Sequence, residues 1–256
     1  MTRPGRRLEA ILLPVAAGAT LVGIWHLAVR WTGTTVFPSP AAVARGLAEL
    51  ARKGLLLRYS RDSLLRVAAG YGIAVAVGIP LGIFLGWKPA AARAANPVIQ
   101  FLRPISPLAW IPVAIVLFGV SDVSAIFLIF LASLFPILVA AMNGVRGVPA
   151  MYRDAALNFG LSRGALLSRV IFPAALPEIL TGLRLALGIA WIVVVAAEMI
   201  AVNSGLGYLV IDSRNAGKRY DLVVAAMLLI GLALNLLVSR VARLRAVRWG
   251  FRPEET

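Results

Sequence analysis

The chain has 256 residues, 60% of them hydrophobic, with 26 Lys and Arg against 11 Asp and Glu for a formal net charge of +15. With a mean hydropathy of +0.87, it lacks the polar surface that coats a water-soluble fold, so its solvent is read as lipid. That excludes the nucleic-acid reading a soluble protein this basic would invite, and the absence of Cys excludes disulfides, thiol chemistry and Cys-ligated metals.

In chain order, Arg3, Arg6 and Arg7 precede the first apolar run, residues 10–29. Continued to Trp31, the run is too long for the core of a signal peptide, so it is read as a retained span with its basic end in the cytoplasm. The one histidine, His26, lies inside it and cannot build a metal site alone; it reads as a packed or interfacial side chain. An amphipathic surface helix is expected over residues 41–57, and the spans 64–87, 98–119, 123–142, 179–202 and 222–241 follow. Each meets or approaches the roughly 20 apolar residues a spanning helix needs. Lipid offers no partners to backbone polar groups, so all six spans are expected to be helices. The strand alternation of an outer-membrane barrel is absent, and no internal repeat stands out.

The architecture read here is therefore all-α, a polytopic bundle of about six transmembrane helices. It divides into residues 1–63 (tail, first span and external amphipathic segment), a core at 64–245, and a tail at 246–256. Pro80, Pro104, Pro107, Pro112 and Pro136 punctuate the spans, each removing a backbone donor and favouring a kink. Gly78, Gly82 and Gly86, spaced by four, allow another helix to approach closely; packing within the chain is favoured over a dimer contact.

Orientation follows from the basic residues. Arg240, Arg243, Arg245, Arg248 and Arg252 in the tail, Arg146, Arg153, Arg163 and Arg169 between spans four and five, and Lys88 and Arg93 between spans two and three fall on one side, the cytoplasm. Arg45, Arg52, Lys53, Arg58 and Arg61 fall on the other, and Glu49 and Asp62 offset them only slightly. That stretch is the misfit of this topology.

The long link between spans four and five is the most informative segment. Pro149 suits a helix start, Asp154 falls in an early turn, where an acid is favourable to the helix dipole, and Gly160 is a natural stop. Ser162 can cap a second helix with Leu166, Leu167, Val170 and Ile171 on one face, which Pro173 is expected to end. The result is a helix, an elbow and a helix projecting from the membrane. Ala156, Gly160 and Gly164 recur every four residues as a face of little bulk, suited either to a partner's groove or to lying on lipid headgroups.

The run Asp154-Ala155-Ala156, Gly160, then Ile171 and Pro173 resembles the cytoplasmic coupling loop of ABC importer permeases, with Asp154 in place of the usual Glu. Arg103-Pro104-Ile105-Ser106-Pro107-Leu108-Ala109-Trp110-Ile111-Pro112, Phe135-Pro136-Ile137, the stretch from Leu176 to Arg184, its continuation through Trp191 and Glu198 to Ile200, and Ser204-Gly205-Leu206-Gly207-Tyr208 resemble the nitrate/sulfonate/taurine/bicarbonate branch. The resemblance implies the type I importer (MetI-like) permease fold in a bacterial inner membrane, both termini cytoplasmic. It implies coupling helices at about 149–172, with Asp154, Ala155, Ala156, Gly160, Leu161, Ser162, Ile171 and Pro173 as coupling residues. It also implies partners: two ATPase subunits, a second copy of the permease, and an external binding protein or lipoprotein. No cofactor is expected on this chain; ATP and Mg would be used by the partner ATPase, and no nucleic acid is involved.

No Gly-x-x-x-x-Gly-Lys-Ser/Thr occurs, and Gly217-Lys218 lacks both the upstream glycine and the following hydroxyl residue, so no phosphate cradle and no enzyme activity are expected. Candidates for the translocation pathway are Arg103, Ser106, Trp110, Arg184, Trp191 and Glu198. Ionisable groups at membrane depth are costly and so are site candidates; snorkelling to the interface is the blander reading of Arg103 and Arg184. Glu198 reads as a structural partner for an amide or a basic side chain, or as part of a gate. A membrane-embedded enzyme is disfavoured by the lack of Cys and of paired acids, and an ion-coupled transporter by the coupling loop. The substrate expected is a small oxyanion: a sulfonate, taurine, nitrate or bicarbonate. A thiamine precursor or riboflavin is the alternative.

Overall fold

A computed structural model describes residues 4–33, 37–215 and 217–242. Arg3 and the tail residues Arg243, Arg245, Arg248 and Arg252 lie outside the described residues, as do the side chains of Arg6, Arg7 and Arg240. Among the described residues all regular structure is helical: α1 (Pro4–Thr32), α2 (Pro40–Arg52), α3 (Leu55–Trp87), α4 (Pro89–Leu102), α5 (Ile111–Phe118), α6 (Asp122–Arg146), α7 (Ala150–Asn158), α8 (Arg163–Leu166), α9 (Phe172–Ile200), α10 (Leu206–Asn215) and α11 (Tyr220–Ala242). Among the described residues, three helical runs are long and apolar enough to cross a membrane: α3, α6 and the 38 continuous residues from Arg163 to Ile200. α4 and the Pro107–Phe118 segment form a bent pair that counts as a fourth crossing. α1 and α11 stand where the first and last spans are expected.

The centre of the bundle is α3, α6 and α9, and small residues explain how they meet. A Cβ at Gly78 would lie 3.1 Å from Cγ2 of Ile137, one at Gly82 2.5 Å from the Leu138 carbonyl, and one at Gly86 2.7 Å from Cβ of Val145. The glycine ladder thus seats α3 on α6 within one chain, and because both numbers rise together the two helices run parallel. Gly144 meets Ala175, and Gly182 meets Ala140 and the Pro136 carbonyl, so α9 runs antiparallel to α6.

Parallel α3 and α6 require the chain between Trp87 and Ser121 to recross the bundle. The span expected at 98–119, with its prolines favouring a kink, does this in two pieces. α4 and the segment after it meet at 82°, with a break after Leu102 and a 3-10 turn at Pro107–Trp110. Pro104, Pro107 and Pro112 withhold three backbone donors in nine residues, which is why the break falls here.

The surface helix is also shorter than expected. Ser39 caps α2, its Oγ accepting from the Ala42 amide at 3.3 Å, with Pro40 as the first helical residue. Gly54, at φ 69°, then turns the chain, and Leu55 already belongs to α3. The buried face of α2 (Val43, Gly46, Leu50) packs on α11, where Gly46 approaches Leu222. Arg219 bonds Glu49 at 2.7 Å and Lys53 bonds it at 2.6 Å, and these cations hold the Glu49 carboxyl down to about 2. The basic stretch Arg45–Arg61 therefore sits at the end of the bundle opposite Arg146–Arg169, and the charge misfit persists in three dimensions.

Candidate functional site

The link between α6 and α9 folds as a helix, an elbow and a helix. α7 ends in a Schellman motif: the Gly160 amide donates to the Leu157 carbonyl at 2.9 Å and the Leu161 amide to the Ala156 carbonyl at 3.1 Å. Gly160 takes the left-handed conformation this needs, φ 77°. Ser162 then caps α8, accepting from the Ala165 amide at 3.4 Å.

Two expectations about this segment are corrected. Pro173 does not end the second helix. A five-residue π turn, Leu167–Ile171, widens the backbone just before it, the Phe172 amide reaching back to the Leu167 carbonyl, and α9 continues without a break. The small residues do not share one open face either. Ala156 is buried with Val145, Leu166, Ile171 and Ala175, because the elbow folds α7 back onto the bundle. The face left open carries Met151 (68% exposed), Tyr152 (52%) and Phe159 (85%). Ala155 is exposed, Leu161 is half-buried, and Asp154 shares a groove of about 410 Å³ with Arg153, Arg163, Trp87 and Pro89.

A second cavity, of about 440 Å³, opens between the broken third span, α6 and α9. Its apolar wall includes Ala132, Phe135 and Ile189, close to the midpoints of α6 and α9; its polar groups are Arg103, Asn143, Glu178 and Thr181. Non-helical backbone at membrane depth is tolerated where it lines a cavity, and the break after Leu102 does so. A third cavity, about 400 Å³, shares Asn143 and Glu178 and reaches Pro149 and Tyr152 at the base of the elbow.

The other pathway candidates are not among the residues lining that cavity, although Ser106 lies between two that are, Ile105 and Pro107. The Ser106 carbonyl starts the 3-10 turn, accepting from the Ala109 amide at 3.0 Å. Trp110 packs on Ile111 and Ala114. Trp191 is buried among Val67, Ile129 and Leu206. Its Nε1 and Nε of the half-buried Arg184 are buried without a hydrogen-bond partner.

Glu198 is fully buried at the end of the bundle away from the elbow. Its Oε1 accepts from Arg66 at 2.7 Å; its Oε2 accepts from the Ser63 hydroxyl at 2.8 Å and the Gly207 amide at 3.0 Å. Arg66, 4% exposed, also donates to Asp122 Oδ1 at 2.7 and 2.9 Å and to the Ser204 carbonyl at 2.8 Å. The Leu206 amide closes the set on Ser63 Oγ at 3.0 Å. Gly205 and Gly207 leave room for the carboxylate; a Cβ at Gly205 would collide with it.

Residues 78–249 match the family described as binding-protein-dependent transport system inner membrane component. The chain belongs to this family. A putative ABC transporter permease of Methanocaldococcus jannaschii is 39% identical over 241 residues, covering 92% of this chain and 90% of that one. The bicarbonate transport system permease of Synechococcus elongatus is 34% identical over 252 residues, 93% and 90%. A nitrate import permease of Leptolyngbya laminosa is 39% identical over 182 residues, 70% and 65%. Among solved structures, an inward-facing MetNI methionine ABC transporter chain superposes with a TM-score of 0.56 at 19% identity, covering 74% of this chain and 97% of that chain, so the permease has the MetI-type fold.

The permease is thus a multi-pass membrane subunit of an ABC importer. Its matched segment contains the elbow, the mid-depth cavity and Glu198, but not Ser63 or Arg66. Arg66 was not singled out from the sequence. The signal was available: an arginine inside an apolar helix needs a buried acid, and Glu198 is the acid deepest in a predicted span.

Proposed function

We propose that this permease forms the membrane pathway of an ATP-driven importer for a small oxyanion. Two copies pair in the bacterial inner membrane with both termini cytoplasmic, an external binding protein or lipoprotein delivers the substrate, and two ATPase subunits grip the elbow. The observation that carries the oxyanion is the identity, over most of the chain, with permeases named for bicarbonate and nitrate. The elbow suits its role because the Schellman turn fixes α7 against the bundle, so force applied to the exposed Met151, Tyr152 and Phe159 reaches α6 and α9 through Ala156 and Ile171. Movement there biases a helix bundle with two arrangements, each stabilised by one nucleotide state of the partner.

The test is uptake into proteoliposomes holding the complete complex with ATP supplied to the ATPase side. Nitrate, bicarbonate and sulfonates are expected to include the substrate. Uptake of a thiamine precursor or riboflavin instead would keep the importer and replace the anion. Uptake without ATP, with no ATPase co-purifying from detergent extract, would replace the importer by an ion-coupled carrier.

Gly160→Val probes the coupling itself. A β-branched residue in the left-handed region costs about 1–2 kcal/mol, which opens the elbow. Uptake per ATP hydrolysed is expected to fall about ten-fold while hydrolysis continues, one decade being about 1.4 kcal/mol. Unchanged coupling in the assembled complex would remove the elbow from the mechanism.

A further inference from the structure

The buried residues that join the elbow to α9 do not follow one helical period. Leu166, Ile171, Ala175 and Ile179 are 3%, 1%, 1% and 2% exposed, and all four belong to one apolar cluster with Val145 and Ala156. Ile171, Ala175 and Ile179 are spaced by four, as residues on one face of an α-helix are. Leu166 and Ile171 are spaced by five. At the α-helical increment of about 100° per residue, side chains five apart point about 140° away from each other. These two meet in one cluster because the surplus residue falls in the π turn Leu167–Ile171, where the Phe172 amide reaches the Leu167 carbonyl over five residues.

Pro173 keeps the surplus residue in place. In an unbroken α-helix its ring would press on the Arg169 carbonyl, and that carbonyl would lose its amide donor, because proline has none. The widened turn relieves the clash, so closing it is opposed while Pro173 is present. On the bundle side α9 is anchored, Ala175 meeting α6 at Gly144. A change of twist at the turn therefore moves α8 and the elbow and leaves α9 where it is. With the turn closed, the chain before it would rotate by about 100°. Leu166 would leave the cluster, and α7 would lose the seat against which Ala156 packs.

We infer that the π turn is a one-residue phase spacer, held open by Pro173, that aims the exposed elbow face of Met151, Tyr152 and Phe159 at the ATPase. Pro173 is then a positioning residue, acting on coupling through the elbow. The inference rests on the importer reading for what grips that face.

The test removes the pin and then the surplus residue. Ser168 is the residue to delete: it is exposed, and its hydroxyl reaches only the Gly164 and Ala165 carbonyls. Without it, Leu166 and Ile171 stand four apart and an ordinary α-helix holds the same phase. The chain has no Cys, so Leu166→Cys is a single reporter. In the full-length permease in detergent, this thiol is expected to resist a water-soluble maleimide. Adding Pro173→Ala should make it react about ten-fold faster, as a side chain leaving a buried cluster does. Deleting Ser168 as well should protect it again. With Leu166 retained and the complete complex in proteoliposomes, Pro173→Ala should lower uptake per ATP hydrolysed about ten-fold. Pro173→Ala with Ser168 deleted should return close to the wild-type ratio, a repair that loss of stability alone would not show. A thiol that stays protected in Pro173→Ala, or a deletion variant no better protected and no better coupled than Pro173→Ala, would overturn the spacer. A reactive thiol with wild-type coupling would overturn its part in aiming the elbow. A wild-type complex without ATP-driven uptake would overturn the importer reading, while the thiol experiment still decides the spacer.

Discussion

Glu198→Ala is expected to destabilise the permease by about 3–5 kcal/mol, the usual cost of removing one partner from a buried ion pair. The magnitude follows from what is left behind. Arg66 keeps its place at 4% exposure with one carboxylate fewer, while the Gly207 amide and the Ser63 hydroxyl lose their acceptor in a dry site. Asp122 remains, but it is 69% exposed and cannot replace a buried counter-charge. The check is thermal unfolding of the purified complex in detergent, with the yield of assembled complex as a second readout. Arg66→Met combined with Glu198→Leu should recover part of the loss, since removing both charges leaves no buried ion uncompensated. A Glu198→Ala protein that unfolds at the wild-type temperature would mean that the four segments joined by this network are held by apolar packing alone.

The network also marks the boundary of what a one-dimensional reading can reach. The spans α3, α6 and α9 were legible because lipid requires long apolar helices, and that requirement leaves a hydropathy signal in each one separately. The elbow was legible because its stop and start are local: Gly160 supplies the positive φ and Ser162 the cap. Other features depend on pairings between distant segments. Ala156 looked like part of an open stripe because the next glycine lies four residues on, yet which face of α7 is buried is decided by Val145 and Ile171. Pro173 looked like a stop because a helix-interior proline usually is one; the π turn before it admits the ring and lets α9 run on. The break at residues 103–106 was signalled by the prolines in and after it, but its 82° angle left no local mark in the sequence. Arg66 was hidden for the same reason: its partner is 132 residues away.

Replacing Gly82 with leucine is expected to prevent correct folding, by a route that involves no charge. A Cβ at this position would lie 2.5 Å from the Leu138 carbonyl and 2.7 Å from Cβ of Ala141, so both obstacles belong to the body of α6, with no flexible side-chain tip to yield. Overpacking a well-packed core costs about 1–3 kcal/mol where neighbours can move. Here the two helices must separate, and the loss extends along the ladder to Gly78 and Gly86, whose close contacts with Ile137 and Val145 depend on the same helix spacing. In lipid that loss has no hydrophobic compensation, because association rests on packing itself. Gly72 on the same helix is the control: nothing lies within 4 Å of its absent Cβ. Gly72→Ala should therefore be neutral or stabilising by about 0.5–1 kcal/mol through helix propensity. The pair is read by the fraction of monodisperse complex recovered from membranes. Wild-type recovery of Gly82→Leu would show that α3 and α6 do not meet along the glycine face.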